Sequence, residues 1–291
     1  MKPAGIVLLA ACVTSFGVGS AGVPQQPVFK TSVDLVQIDA LVTLNGRPVT
    51  GLGPLDFEVT DNGVLQPLQA ALPSGRLNVI LALDVSGSVK GERLNALVQA
   101  VQALLGDLRD QEQVALVTFN DDIAVRSPLT PDVASVRRSL ENIQPGGNTS
   151  MNDAVFAALS LGTRDARRLL VLFSDGTDNS SWLSGSRVIE AARRTDVVVC
   201  PVAVGLPARS TSRSARFLEA LADRTGGRLF HAESIGMLRA SMLEVLTEFR
   251  SRYVIAYTPT GVLRDDGWHH VEVRLKGRRA EIKAKDQYLA R

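Results

Sequence analysis

Cysteine is almost absent from this chain of 291 residues, which has only Cys12 and Cys200. Histidine is scarce too, at His231, His269 and His270. Adjacent residues of a strand point to opposite faces, so His269 and His270 do not form an imidazole pair, and His231 stands alone. Lys and Arg number 32 against 30 Asp and Glu, a net charge of +2 that falls to +1 if Lys2 is lost with a leader. With no cluster of basic and aromatic residues, nothing points to nucleic acid. Several catalytic signatures are also missing. Beyond residues 1–22 there is no Gly-x-Ser-x-Gly elbow, no Gly-rich dinucleotide fingerprint and no phosphate loop ending in Gly-Lys-Ser/Thr. What remains is an ordinary globular composition, 45% hydrophobic and 21% charged, in a length that suits one large domain or two smaller ones.

The first residues read as an export signal over 1–22. Lys2 precedes a mostly apolar run from Ile6 to Val18, followed by Gly19-Ser20-Ala21-Gly22, with cleavage expected near Ala21 or Gly22. The run is too short, and too rich in Gly and Ser, for a bilayer span of about 20 residues, and no later segment looks transmembrane. The expected location is secreted, periplasmic or in the cell envelope. Leu9-Ala10-Ala11-Cys12 offers a variant, a lipoprotein box with Cys12 lipidated, although only eleven residues precede Cys12 and the apolar run continues past it. With the leader removed, Cys200 has no intramolecular partner. Val197-Val198-Val199-Cys200-Pro201-Val202 then reads as a buried strand in which the thiol is a small hydrophobe.

Three stretches follow the leader. Residues 28–74 carry short strand patterns around Val33–Leu41, with Asn45-Gly46 and Asp61-Asn62-Gly63 as hairpin turns. Over 75–250 the rhythm changes. The apolar runs Val79–Leu83, Val114–Phe119, Leu169–Phe173 and Val197–Val204 are nearly continuous, as in parallel strands covered on both faces. Between them, Leu94, Leu97, Val98, Val101, Leu104, Leu105 and Leu108 line one side of a helix. Further helices are expected at Ala154–Leu161, Ser186–Arg194, Ser214–Arg224 and Ile235–Phe249. The alternation predicts an α/β fold, an open and mostly parallel sheet with helices on both faces. In 251–291, Tyr253–Tyr257, His270–Leu275 and Ala280–Lys285 return to strand patterns. These are expected to complete the β-domain begun in 28–74, leaving the α/β domain inserted between its halves.

Ligands of open α/β sheets bind at the carboxyl ends of the strands. There the chain reads Asp84-Val85-Ser86-Gly87-Ser88 after one run and Phe173-Ser174-Asp175-Gly176 after another, with Gly146-Gly147-Asn148-Thr149-Ser150 between them. Asp84, Ser86, Ser88, Thr149 and Asp175 are all hard oxygen donors, a set that suits Mg²⁺, Mn²⁺ or Ca²⁺ rather than zinc or copper. Alternate positions of 84–88 can face one way, Gly87 permits the bend, and two carboxylates offset the ion's charge.

These residues resemble the von Willebrand factor A family over about Leu77 to Arg250. Asp84, Ser86 and Ser88 fit the Asp-x-Ser-x-Ser element of its metal-ion-dependent adhesion site, Thr149 its threonine and Asp175 its second aspartate. The resemblance implies that both serines and the threonine bind the metal directly and that the aspartates act through water. A carboxylate of a partner protein then fills the open position. It also implies a protein- or ligand-binding module rather than an enzyme. The flanks, Gly51-Leu52-Gly53-Pro54-Leu55-Asp56-Phe57-Glu58-Val59 with Asp61-Asn62-Gly63, and Tyr253-Val254-Ile255-Ala256-Tyr257-Thr258-Pro259, are similar to those of bacterial secreted proteins called VWFA-related.

Other readings stand beside this one. Ser88 and Thr149 could cap helices and Asp84 a turn, which explains each residue singly but not their convergence. A metal-dependent hydrolase or phosphatase could use Asp84 as nucleophile, yet the position two residues on is Ser86, not an acid, and no histidine base is placed nearby. A structural envelope component could hold a merely stabilising ion. Asp121 and Asp122 suit a turn or would add negative field. Asn179-Ser180-Ser181 matches a glycosylation pattern by chance. Trp182 either anchors a partner or covers the sheet edge.

Overall fold

The computed structural model describes residues 35–73, 75–163, 165–174, 177–205, 210–263 and 267–290. The leader, Cys12 and Asp175 lie outside them.

The central sheet is built from β6 (Leu77–Asp84), β7 (Glu112–Phe119), β8 (Ile123–Thr130), β9 (Arg167–Ser174), β10 (Val197–Val204) and β11 (Phe230–Ala232), in the order β11-β10-β9-β6-β7-β8. All neighbours run parallel except β7 and β8. Among the described residues, six α-helices lie between and after these strands: α1 (Glu92–Asp107), α2 (Val133–Ser139), α3 (Met151–Ala158), α4 (Gly185–Arg193), α5 (Arg213–Thr225) and α6 (Leu238–Arg250).

Every residue of β6 is buried, and its side chains alternate between two cores. Leu77, Val79, Leu81 and Leu83 pack with α1, α2 and α6, whereas Ile80 and Ala82 pack with α3, α4 and α5. A continuous apolar run is what such two-sided cover requires. Because β6 lies between β7 and β9, the chain leaves it to opposite sides, and the sheet changes direction at its carboxyl end.

Several boundaries differ from the sequence expectation. Helix α3 starts earlier than expected because Ser150, just after the Gly-rich loop, takes the cap position. The segment from Ile235 opens as a 3-10 turn, Ile235–Met237, before α6 begins at Leu238. Strands β8 and β11 and helix α2 went unpredicted. β8 is a mostly exposed edge strand that includes Pro128, and β11 and α2 are too short to show a period.

The remaining strands are β1 (Val36–Leu44), β2 (Arg47–Pro48), β3 (Phe57–Asp61), β4 (Val64–Gln66), β5 (Leu68–Pro73), β12 (Tyr253–Tyr257), β13 (Trp268–Leu275), β14 (Glu281–Lys283) and β15 (Gln287–Leu289). One sheet runs β14-β1-β12-β5 with β2 beside β1, and the other β15-β13-β3-β4. Both mix strands that precede Leu77 with strands that follow Arg250. Val36, Ile38, Phe57, Val59, Tyr253, Ile255, Tyr257 and Val271 share one core between them. The β1–β2 and β3–β4 turns carry positive φ at both Asn45 and Gly46 (52° and 72°) and at Asn62 and Gly63 (47° and 82°), the backbone of type I′ hairpins.

Arg167 at the start of β9 ties the two parts of the fold together. It is paired with Asp39 of β1, donates to the Phe249 carbonyl at 3.1 Å and lies 4.3 Å over the Phe249 ring. The side chains of Arg167 and Asp39 are 8% and 15% exposed, so this ion pair is partly buried. Arg250, at the end of α6, donates to Glu112 (2.9 Å) and Asp107 (2.6 Å).

Candidate metal centre

Three loops meet at the carboxyl ends of β6 and β9. Asp84 ends β6 and is fully buried. Its Oδ1 accepts from the Ser86 amide at 2.9 Å, and its Oδ2 accepts from the Ser174 hydroxyl at the end of β9, also at 2.9 Å. The carboxylate is held from both sides. Ser86 is buried and Ser88, in a 3-10 turn, is exposed. Their hydroxyl oxygens stand 3.1 Å apart.

The second loop is stitched to the first through its backbone. The Gly87 amide donates to the Gly147 carbonyl at 3.0 Å, and the Gly146 amide donates to the Val85 carbonyl at 2.9 Å. Gly147 has φ +74°, and a Cβ there would stand 1.9 Å from Asp121 Oδ2, so both the conformation and the space call for glycine. Asp121 accepts from Asn148 Nδ2 at 2.8 Å, and the Asp122 amide donates to Asn120 Oδ1 at 3.0 Å. Asp121 thus braces the turn through its carboxylate and Asp122 through its backbone. Thr149 follows, buried, at the mouth of α3.

The third loop, described from Thr177, clasps the second. The Thr149 amide donates to Asn179 Oδ1 at 2.8 Å, and the Asn179 and Ser180 amides donate to the Thr149 carbonyl at 3.1 and 3.2 Å. Asp178 Oδ2 accepts from the Asn152 amide at 2.8 Å. Asp84, Ser86, Ser88 and Thr149 are thereby gathered at one crevice. Asp175, in the same loop after Ser174, is outside the described residues.

The capping alternative holds only for Asp84, whose Oδ1 caps a turn by accepting the Ser86 amide. The cap residue of α1 is Gly91 and that of α3 is Ser150, so neither Ser88 nor Thr149 caps a helix. The donors do fit a hard cation. Around a six-coordinate ion with bonds of about 2.0–2.1 Å, neighbouring oxygens stand about 2.9 Å apart, and with bonds of 2.3 Å or more they stand about 3.3 Å apart. The 3.1 Å between the Ser86 and Ser88 hydroxyls falls between these values. The fully buried Asp84 carboxylate adds negative charge for a cation to offset.

Sequence reasoning missed the residues that hold this arrangement, namely Ser174, Asp178, Asn179 and Asp153. Asn179 was visible only as part of a chance glycosylation pattern, and its side-chain oxygen is in fact engaged by Thr149. Asp153 accepts from the Trp182 and Leu183 amides, each at 2.9 Å. Trp182 itself is 97% exposed and covers no sheet edge. The other residues that might have attracted chemistry lie elsewhere. His269 is buried in the β-sheet core, with Nδ1 2.8 Å from Asp61, while His270 is exposed. Cys200 is 1% exposed, and burial pushes its thiol pKa up, which makes it a poor nucleophile.

Comparison with known proteins points to the same fold. Residues 79–177 match the family model of the von Willebrand factor type A domain. Over 125 residues the chain is 33% identical to inter-alpha-trypsin inhibitor heavy chain H2 of Sus scrofa, covering 38% of this chain but only 13% of that much longer protein. Among solved structures, a von Willebrand factor type A protein from Catenulispora acidiphila shares the fold with a TM-score of 0.55 at 14% identity, covering 86% of this chain and 76% of that one. Proximal thread matrix protein 1 of the mussel byssus, in a form with a zinc-occupied MIDAS motif, gives a TM-score of 0.54 at 18% identity, covering 65% and 49%. The stretch that builds this crevice belongs to the von Willebrand factor type A domain family.

Proposed function

We propose that the protein is a binding module in which Asp84, Ser86, Ser88, Thr149 and Asp175 hold a divalent cation, Mg²⁺, Mn²⁺ or Ca²⁺, and the cation receives an acidic side chain of a partner protein. One observation carries this reading. Three loops are stitched together so that the Ser86 and Ser88 hydroxyls stand 3.1 Å apart beside the buried Asp84 carboxylate. Hydroxyls and carboxylates are hard donors, and a coordination position left to the partner gives a charge-assisted contact in a partly dehydrated crevice. The zinc in the mussel protein's motif supports a divalent ion in such a site, and the oxygen-only donor set here favours harder ions than zinc.

The role is recruitment rather than catalysis. The histidines of the chain lie at 231, 269 and 270, outside the three loops in sequence, and no base stands beside Asp84 in the pattern. The α/β domain of 75–250 is an insertion in a β-domain formed by 28–74 and 251–291, a reading supported by the antiparallel pairing of β1 with β12 and of β3 with β13. The leader in 1–22 directs the protein to the periplasm, cell envelope or exterior. Among the described residues no helix is long and apolar enough to cross a membrane.

Calorimetric titration with Mg²⁺, Mn²⁺ and Ca²⁺, in the presence and absence of acetate, tests the reading. Saturable binding is expected, lost in Asp84→Ala and Thr149→Ala with the fold preserved by circular dichroism. No binding under either condition would overturn it.

A further inference from the structure

Among the described residues, two large aromatic side chains are exposed, Trp182 at 97% and Phe156 at 46%. Both adjoin Asp153. The carboxylate of Asp153 accepts from the amides of Trp182 and Leu183, and Phe156 lies three positions further along α3, on the same side of the helix. The Trp182 backbone is fixed further by Asn152 Nδ2, which donates to the Leu183 carbonyl at 3.0 Å, and by the Ser181 hydroxyl, which donates to Asp178 at 2.5 Å. The loop therefore displays its indole in solvent on a backbone already ordered. Such display reduces the entropy lost when a partner covers the ring.

The Trp182 backbone is also near the metal crevice. The Ser180 amide is 3.2 Å from the Thr149 carbonyl, and two residues of chain reach at most about 7 Å, which puts the Trp182 backbone about 13 Å or less from that of Thr149. A stable interface covers about 800 Å² on each partner, a patch of roughly 16 Å radius. A protein that places a carboxylate on the ion and extends along the third loop from Asn179 to Leu183 also reaches Trp182.

We propose that Trp182 is the apolar anchor of the metal-dependent face, and that the partner is a protein with an apolar pocket beside the acidic side chain it gives to the ion. This rests on the metal-binding reading above. The ion selects the carboxylate, which many surfaces offer, and the indole selects among them. Fully exposed aromatic rings that become buried at the centre of an interface carry a disproportionate share of affinity.

The test uses two synthetic peptides, each with one central aspartate, flanked by leucine and phenylalanine in the first and by glycine and serine in the second. Both are titrated into the whole protein with Mg²⁺ or with EDTA. Trp182 emission reports burial. Trp268, packed 4.2 Å from the Arg193 guanidinium, supplies a constant background. The first peptide is expected to shift the emission to the blue in Mg²⁺ alone. Trp182→Ala should weaken it about thirtyfold while leaving Mg²⁺ affinity and binding of the second peptide unchanged. Because the ring is exposed, that variant keeps its fold. Two EDTA-sensitive peptides of equal affinity, indifferent to Trp182→Ala, would overturn the anchor and leave the metal reading intact. Absence of Mg²⁺ binding, with no EDTA-sensitive peptide binding, would overturn both.

Discussion

The Ser174 hydroxyl, at the end of β9, donates to Asp84 Oδ2, at the end of β6, across 2.9 Å. Ninety positions separate the two residues in sequence, and parallel pairing of the strands brings their ends together. The bond fixes the orientation of the Asp84 carboxylate while the Ser86 amide holds its other oxygen. Groups that orient a metal site from behind typically affect affinity by 10–100-fold. Ser174→Ala is expected to weaken Mg²⁺ binding by about tenfold or more while the domain stays folded. Calorimetry beside a urea unfolding curve separates the two effects. An unchanged affinity would show that the Ser86 amide suffices to orient Asp84.

Gly147 is the point where the Thr149 loop crosses Asp121. Any side chain there must adopt a left-handed backbone, at about 1–2 kcal/mol, and also push Asp121 away. Gly147→Ala is expected to lower stability by about 2 kcal/mol and to weaken the metal site, because Gly147 also accepts the Gly87 amide. Chemical denaturation and metal titration check both. A variant as stable as the parent would mean that the loop relaxes freely.

Removing one member of the part-buried Arg167–Asp39 pair leaves a charge without its partner, which costs about 2–3 kcal/mol, somewhat less than in a fully buried pair. Arg167→Ala is therefore expected to destabilise strongly. The double variant Arg167→Leu with Asp39→Val should recover much of the loss, since apolar replacement of both partners removes the orphaned charge. Unfolding midpoints of the parent, the single and the double variant decide the matter. A double variant no better than Arg167→Ala would contradict it.

Tyr257 donates to the buried carboxylate of Asp61 at 3.0 Å, and burial, followed by the Asp61 charge, pushes its phenol well above the ordinary value of 10.0. The protonated form is the one that fits the fold. Its contribution is fully present below the unfolded pKa of about 10 and is lost as pH rises above it. Urea midpoints measured from neutral to strongly alkaline pH should fall on the alkaline side. Tyr257→Phe should flatten that fall, at the cost of about 1.5 kcal/mol near neutrality for the lost hydrogen bond to a carboxylate. A fall of the same steepness in Tyr257→Phe would assign it to other groups.

Much of the architecture was legible in the residues themselves. The run Leu77–Asp84 is apolar almost throughout because both its faces are covered, and the Asn-Gly pairs at 45–46 and 62–63 demand the positive φ that they adopt. Ser86 and Ser88 could be read as a pair because alternation over a few residues is a local property. Boundaries were less legible where a cap or a 3-10 turn takes over, as at Ser150 and Ile235, since a helical period says little about where the helix begins.

The sequence by itself determined the alternation of strand and helix, the hairpin turns and the chemical type of the oxygen donors proposed for the ion, because each depends on periodicity or residue chemistry within a few positions. Tertiary structure alone decided that β6 lies between β7 and β9, that Ser174 turns its hydroxyl to Asp84, that Asn179 holds Thr149 and that Trp182 stands in solvent. Strand order, long-range hydrogen bonds and exposure arise from contacts between segments far apart in the chain, and such contacts leave no period along it.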